Sequence, residues 1–174
     1  SKLRQTLRPW RPEVPRSPFG NAWMKLAYVT TSGRGRIDDL IAEAVRSFTA
    51  NGLRLAGTVC ARPALPGGHR CDMDLRVLPD GPQFRISQPL GSGARGCRLD
   101  GGVIEAIASA VEGRVRGADL LIVNKFGKLE ARGRGLCPAM TLAMELGMPT
   151  LVGVNEMNTP DFIAFSDGVA ERLV

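Results

Sequence analysis

Aromatic residues are scarce in this chain. Six Phe, two Trp and one Tyr are spread over 174 residues, which leaves few rings on which the bases of a single strand can stack. Histidine is scarcer still. His69 is the only one, and none of the four cysteines, Cys60, Cys71, Cys97 and Cys137, is paired with another at C-x-x-C spacing. A zinc finger of the usual ligand pattern is therefore excluded. No apolar run approaches the roughly 20 residues a helix needs to cross a bilayer, and no secretory signal is visible. These lacks lead to the expectation of a cytoplasmic protein without a membrane partner, its thiols reduced. The alternative for the cysteines is that Cys71, Cys97 and Cys137, all in loop-like surroundings, converge as a soft-metal or redox site.

The remaining composition is that of an ordinary globular domain with one full core. The net charge of +6 suits nucleic acid, a membrane surface or small anions. With so few aromatics, nucleic acid is disfavoured and a small anionic ligand is favoured.

Residues 1–23 stand apart. Pro9, Pro12, Pro15 and Pro18 alternate with Arg4, Arg8, Arg11 and Arg16, and proline at that density favours an extended arm. Met24 and Lys25 read like a natural start. The arm is either a segment without a role or one whose Trp10, Phe19 and Trp23 pack on the body or on a second subunit of a homo-oligomer. The domain proper is expected over 24–174.

Within it, hydrophobic periodicity predicts a strand over 25–31, a helix over 37–51 and a strand over 53–61. A β-hairpin is expected from 72–78 and 83–88 around Pro79-Asp80-Gly81-Pro82. Residues 90–96 read as a glycine-rich loop, and 97–100 lead into a helix capped by Asp100. The apolar run 118–124 suits a strand buried on both faces, and a loop is expected over 125–136. Pro138 opens a helix closed by Gly147, and 149–154 is a further strand. Thr159 caps a short helix to Phe165, and 169–173 supplies another. The alternation predicts an α/β fold: a three-layer, mostly parallel sheet with an inserted hairpin. Ligands of such sheets bind beyond the carboxyl ends of the strands, which groups the loops 30–38, 124–136 and 155–160.

The first of these loops carries the chemistry. Thr30, Thr31, Ser32, Gly33, Arg34, Gly35 and Arg36 turn from a strand into a helix. Free amides at the turn, the helix dipole and two arginines make an anion site. A full Walker A loop is G-x-x-x-x-G-K-[ST], whose backbone wraps phosphates, whose Lys reaches the outer ones and whose hydroxyl holds magnesium. Gly35 fits the second glycine, and Arg36 keeps the charge of the Lys with a planar fork. Thr30 replaces the first glycine, Ile37 replaces the hydroxyl, and Asn124 stands where the second metal-binding acid belongs, followed by Lys125. The expected site is therefore basic, with no metal, and magnesium is doubtful as a cofactor. Lys125, Lys128, Arg132 and Arg134 add positive charge on the same edge, and Arg95 and Arg98 approach it. Glu130, alone among them, is either a partner holding the arginines or a general base for water.

From Met24 onward the chain resembles a family of uncharacterised bacterial proteins often found with molybdate-uptake genes. The matching phrases are AYVTTSGRG at 27–35, CDMDLRVLPDG at 71–81, RGCRLD at 95–100 and LIVNKFGKLE at 121–130. More distantly it is similar to the small P-loop nucleoside-triphosphatases of thermophiles, which share a hairpin after the second strand and a loop that Asn124 to Glu130 follows. The resemblance implies a P-loop fold. It matches Gly33, Gly35 and Arg36 to phosphate-binding positions, and Gly127 and Glu130 to the second loop. Thr30, Ile37, Asn124 and Lys125 depart from it. The implied ligand is a nucleotide or an oxyanion, phosphate or molybdate, with a link to molybdenum metabolism. Three functions follow: a binding protein with weak or absent hydrolysis, a slow magnesium-dependent nucleoside triphosphatase using Glu130 with Asp38 or Asp39 recruiting the metal, or a non-catalytic interaction module.

Overall fold

The computed structural model describes residues 26–33, 35–61, 74–89 and 97–173, with 87–89 and 97–99 described by their backbone alone. The proposed arm, Arg34, Cys71 and the loop 90–96 lie outside them. The first strand, β1 (Leu26–Val29), turns through 30–35 into helix α1 (Arg36–Ala50). That helix buries Ile37, Ile41 and Val45, four residues apart and so on one face. Asn51 and Gly52 stop it; Gly52 has a φ of 79°, which glycine adopts without steric cost. Strand β2 (Leu55–Ala61) follows, then the hairpin β3 (Asp74–Val77) and β4 (Gln83–Arg85), paired antiparallel.

The expected strand over 83–88 is in fact two. Ile86 is buried and its carbonyl accepts the Asp100 amide at 2.9 Å, which turns the chain inward. Beyond it β5 (Ser87–Pro89) pairs with β6 (Cys97–Leu99) in a separate two-stranded sheet. Residues 97–99 were expected only as a lead into a helix. A three-residue strand between a glycine loop and a helix cap carries no periodicity to read. Asp100 caps α2 (Gly101–Val115) as expected, its carboxylate accepting from Gly102 and Val103 at 3.0 and 3.2 Å.

Strand β7 (Leu120–Phe126) runs two residues past its expected end, and α3 (Lys128–Ala131) forms inside the expected loop. Helix α4 (Cys137–Glu145) leads to β8 (Thr150–Val154), a 3-10 turn (Glu156–Asn158) and α5 (Thr159–Phe165). The cap of α5 is Asn158, one residue earlier than expected, because the Thr159 hydroxyl turns back to the Asn155 carbonyl at 3.0 Å. Residues 171–172 form strand β9 (Glu171–Arg172) where a helix was expected. They pair with the open edge of β1, a tertiary contact that outweighs local propensity.

The main sheet has the order β4-β3-β2-β7-β8-β1-β9. From β2 to β9 every pairing is parallel, and β3 and β4 extend it antiparallel. Along β7 side chains alternate between two cores. Leu120 and Ile122 join Ile37, Ile41 and Val45 of α1 on one face, and Leu121 and Val123 join α2 and α4 residues on the other. The result is the expected three-layer, mostly parallel α/β fold. Phe126 and Phe162, both fully buried, meet edge to face at 5.1 Å and lock α5 onto the carboxyl end of β7. Parallel pairing of β1, β7 and β8 puts the loops after all three on one edge.

Candidate functional site

The turn after β1 is built to leave donors free. Gly33 and Gly35 have φ of 100° and 78°, in the left-handed region where a side chain is strained. Helix α1 starts on Gly35, which offers no side chain to cap it. Asp39 is the amide that closes the first turn, onto the Gly35 carbonyl at 3.1 Å. Among the described residues no side chain caps the amides of Arg36, Ile37 and Asp38 ahead of it. The hydroxyl oxygens of Thr30 and Thr31 are buried and have no hydrogen-bond partner among the described residues, although buried hydroxyls are ordinarily paired. Thr30, Thr31 and Ser32 line a cleft of about 500 Å³ whose other wall is Glu156, Thr159 and Arg172. The third loop thus stands where the sequence groups it, at the ligand edge, while the contribution of β9 is additional. From the sequence Thr159 is only a helix cap, Glu156 is an unremarked member of the loop 155–160, and Arg172 falls in an expected helix.

The strand carrying Asn124 and the turn after β1 are separated in the sheet by β8, yet they meet at Asp38. The meeting depends on two irregularities. At Gly57 (φ 115°) the backbone of β2 crosses against the Ile122 carbonyl with no room for a Cβ, and the β2–β7 pairing ends there. Asn124 spans the gap that opens. Its amide donates to the Thr58 hydroxyl at 3.4 Å and its side-chain carbonyl accepts the Cys60 amide at 3.0 Å. Further along, the register with β8 slips by one residue between Val123 and Phe126. Such a bulge re-aims side chains that would otherwise alternate. Asn124 and Lys125 accordingly both reach the same oxygen. The Asn124 Nδ2 donates to Asp38 Oδ1 at 2.9 Å, and the Lys125 ammonium lies 3.5 Å from that atom.

Gly153 of β8 completes the crossing. A Cβ there would collide with the Asn124 carbonyl and come within 2.6 Å of Ile37 Cγ2. Ile37 is thereby buried at the start of α1.

The loop from 127 to 136 is organised by Glu130. Its carboxylate is buried, one oxygen accepting the Gly127 amide at 3.0 Å and the other the Leu136 amide at 3.1 Å. Gly135 (φ 59°) passes so close to the carboxylate that a side chain there would strike it. Both oxygens are thus committed to holding the loop, and a proton-accepting role would require one of them to be released. Arg134 faces Glu105 of α2 at 3.5 Å, and Arg132 is exposed on the same loop. Neither Arg132 nor Arg134 lines the cleft beside Thr30. Arg36 is exposed at the first position of α1, with its Cδ over Gly33.

Cys60 and Cys137 are half-buried. Burial pushes the Cys137 thiol above its ordinary range; a hydrogen bond with Thr141 works against this and the Glu130 charge adds to it. Among the described residues no group of three His, Cys, Asp or Glu side chains is placed to hold a metal, and no helix is long and apolar enough to cross a membrane.

A model of the family described as "Protein of unknown function (DUF2478)" matches residues 26–174. The chain belongs to that family. It is also similar to the molybdenum import ATP-binding protein ModC 2 of Bradyrhizobium diazoefficiens, with 33% identity over 141 residues. That match takes in 79% of this chain but 16% of the relative's length, so it concerns a small part of that protein. Among solved structures, a human cancer-related nucleoside triphosphatase superposes with a TM-score of 0.57, covering 86% of this chain and 88% of its own at 14% identity. That likeness establishes a P-loop NTPase-like fold.

P-loop nucleoside triphosphatases hold a magnesium ion beside the phosphates, and the donor set here can be tested against one. Such a site needs a hydroxyl in the first turn of α1 and a carboxylate at the end of the third parallel strand. Here the first position is the buried apolar Ile37. The second is the amide Asn124, with both ends of its side chain engaged. The carboxylate nearest these two positions, Asp38, has Asn124 and Lys125 at the same oxygen. The described residues do not fit a divalent cation.

Proposed function

We propose that this domain binds a phosphate-bearing ligand of nucleotide size at the turn between β1 and α1, with hydrolysis weak or absent. The observation that carries the reading is the pair of buried, unpartnered hydroxyls on Thr30 and Thr31, beside the uncapped start of α1. A buried hydroxyl left unpaired costs roughly 1–3 kcal/mol, and an oxyanion seated on the helix amides would relieve it. Arg36, over Gly33, and Lys125, beside Asp38, lie outside the lining of the cleft and would supply charge from the start of α1, and Ser32, Gly33 and Gly35 let the backbone wrap the anion. Arg34, Arg132 and Arg134 belong to the proposal as outer charges that draw an anion toward this edge.

Size argues for a nucleotide. A cleft of about 500 Å³ lies within the usual range for small-molecule sites, and a tetrahedral oxyanion fills only its corner. Glu156 on the far wall is a poor neighbour for a bare dianion, but a suitable acceptor for sugar hydroxyls. The names of the two relatives, an ATP-binding protein and a nucleoside triphosphatase, support the same ligand class. A free oxyanion is the second reading, favoured by the molybdenum import role in the name of the first relative. The absent metal donors support binding over turnover, since phosphoryl transfer relies on a cation to offset charge on the leaving oxygens.

Calorimetric titration with ATP, GTP, phosphate and molybdate tests both readings. Nucleotide binding with little binding of the free anions supports the first, and molybdate binding above phosphate supports the second. Arg36→Ala should weaken the bound anion by about 1.5–3 kcal/mol, the range for hydrogen bonds to charged groups. Unchanged affinity removes Arg36 from the site, and no binding of any of the four rejects both readings.

A further inference from the structure

We propose that the Lys125 ammonium takes the place of a divalent cation, so that the cleft accepts the metal-free form of its ligand. The inference rests on the reading of the cleft as a phosphate site. Its basis is the disagreement between the fold and the donor set. Where a hydroxyl and an acid would hold an ion, the chain has a buried isoleucine, an amide engaged at both ends and a lysine. Lys125 is also positioned for the task. The one-residue slip in the β7–β8 register turns consecutive side chains, Asn124 and Lys125, toward Asp38.

Asp38 is in the first turn of α1, immediately behind the amides that face the ligand. Its carboxylate anchors the ammonium at 3.5 Å without covering it, because the Lys125 side chain remains 32% exposed. An ammonium has three donors, and one salt bridge leaves donors for a phosphate oxygen. Asn124 fixes the carboxylate from the buried side at 2.9 Å, so the cation is held from beneath and presented outward. Lysine is a compact point charge suited to phosphate in this way. A magnesium ion approaching Asp38 would meet that charge first.

The test is calorimetry with ADP and with pyrophosphate, in EDTA and in excess magnesium, on the whole chain. The wild type should bind the metal-free ligands at least as tightly as their magnesium complexes. Lys125→Ala should lose roughly tenfold in EDTA, about 1.4 kcal/mol, and recover part of that loss in magnesium as Asp38 is uncovered. Lys125→Arg should retain metal-free binding. Wild-type binding that is tenfold or more tighter with magnesium overturns the proposal and leaves the reading of the cleft standing. Lys125→Ala with unchanged affinity in both conditions also overturns it. Binding of neither ligand in either condition rejects the cleft itself and this proposal with it. If a variant fails to fold by circular dichroism, the wild-type comparison alone decides.

Discussion

Replacing Glu130 with alanine separates a structural acid from a catalytic one. In the fold, its two carboxylate oxygens take the amides of Gly127 and Leu136 at 3.0 and 3.1 Å, in a buried setting. A hydrogen bond to a charged group contributes about 1.5–3 kcal/mol, and its loss leaves a buried amide unpaired. Two such bonds, discounted for their shared acceptor, give an expected destabilisation of about 3–5 kcal/mol for Glu130→Ala. Glu130→Gln keeps one acceptor and points an NH2 group at the other amide, so about half of that is expected. Urea unfolding followed by circular dichroism measures both, the midpoint falling while the slope stays constant. By heat, each kcal/mol corresponds to roughly 2–4 °C for a chain of this size, so the alanine variant should melt well over 5 °C lower. The reasoning is refuted if Glu130→Ala unfolds within about 1 kcal/mol of the wild type. A variant that is fully stable yet loses a measured turnover would instead make Glu130 a base.

Thr30→Val removes a buried hydroxyl without changing shape, so the ligand-free protein should become as stable or more stable, while ligand affinity falls. A loss of stability in the ligand-free state would mean that the hydroxyl has an internal partner. Asn124→Asp keeps the acceptor for Cys60 but sets a second negative charge against Asp38 Oδ1. It should cost about 1–3 kcal/mol by urea unfolding, and no loss would show that the Asn124–Asp38 bond contributes nothing. At Cys137 the pH dependence has a defined sign. A raised thiol value means the neutral form is favoured in the fold, so its contribution is present below the ordinary thiol value and disappears as pH climbs through the raised one. Alkylation at Cys137 near pH 8, followed by peptide mass mapping, should be slower than for a free cysteine, with its midpoint displaced upward. A rate equal to free cysteine contradicts the burial argument.

The alternation of apolar strands and amphipathic helices was legible in the chain because each element announces itself locally. Ile37, Ile41 and Val45 recur at four-residue spacing, and the β7 run is apolar on both faces because α1 lies on one side and α2 with α4 on the other. The elements that were missed or misassigned are those fixed by distant partners. Glu171 and Arg172 become a strand only because β1 offers an open edge. Ile86 ends a strand only because Asp100 takes its carbonyl. Thr159 lies inside α5 rather than at its cap, its hydroxyl donating back to the Asn155 carbonyl of the preceding turn.

The glycine-rich turn was legible for the same local reason, since Gly33 and Gly35 have conformations few other residues adopt. Of the far wall, the loop 155–160 was legible as part of the same edge, but Arg172 was not, because it approaches Thr30 through the pairing of β9 with β1, which no local pattern encodes.

The departures from a metal-binding pattern read, residue by residue, as four separate losses. In three dimensions three of them, at 37, 124 and 125, belong to a single arrangement. Gly57 lets β2 cross tightly against Ile122, where its pairing with β7 ends, Asn124 bridges the two strands beyond that point with its side chain, and the bulge after Val123 carries Lys125 round to Asp38. Gly153 leaves room for both the Asn124 carbonyl and Ile37, which is buried where a hydroxyl would otherwise face an ion. Restoring one acid at position 124 would therefore leave Lys125 on Asp38, Ile37 buried and the strand gap unbridged in its present form. A metal-dependent site would require the strand irregularity itself to be undone, which is why substitutions at 37, 124 and 125 should couple rather than add.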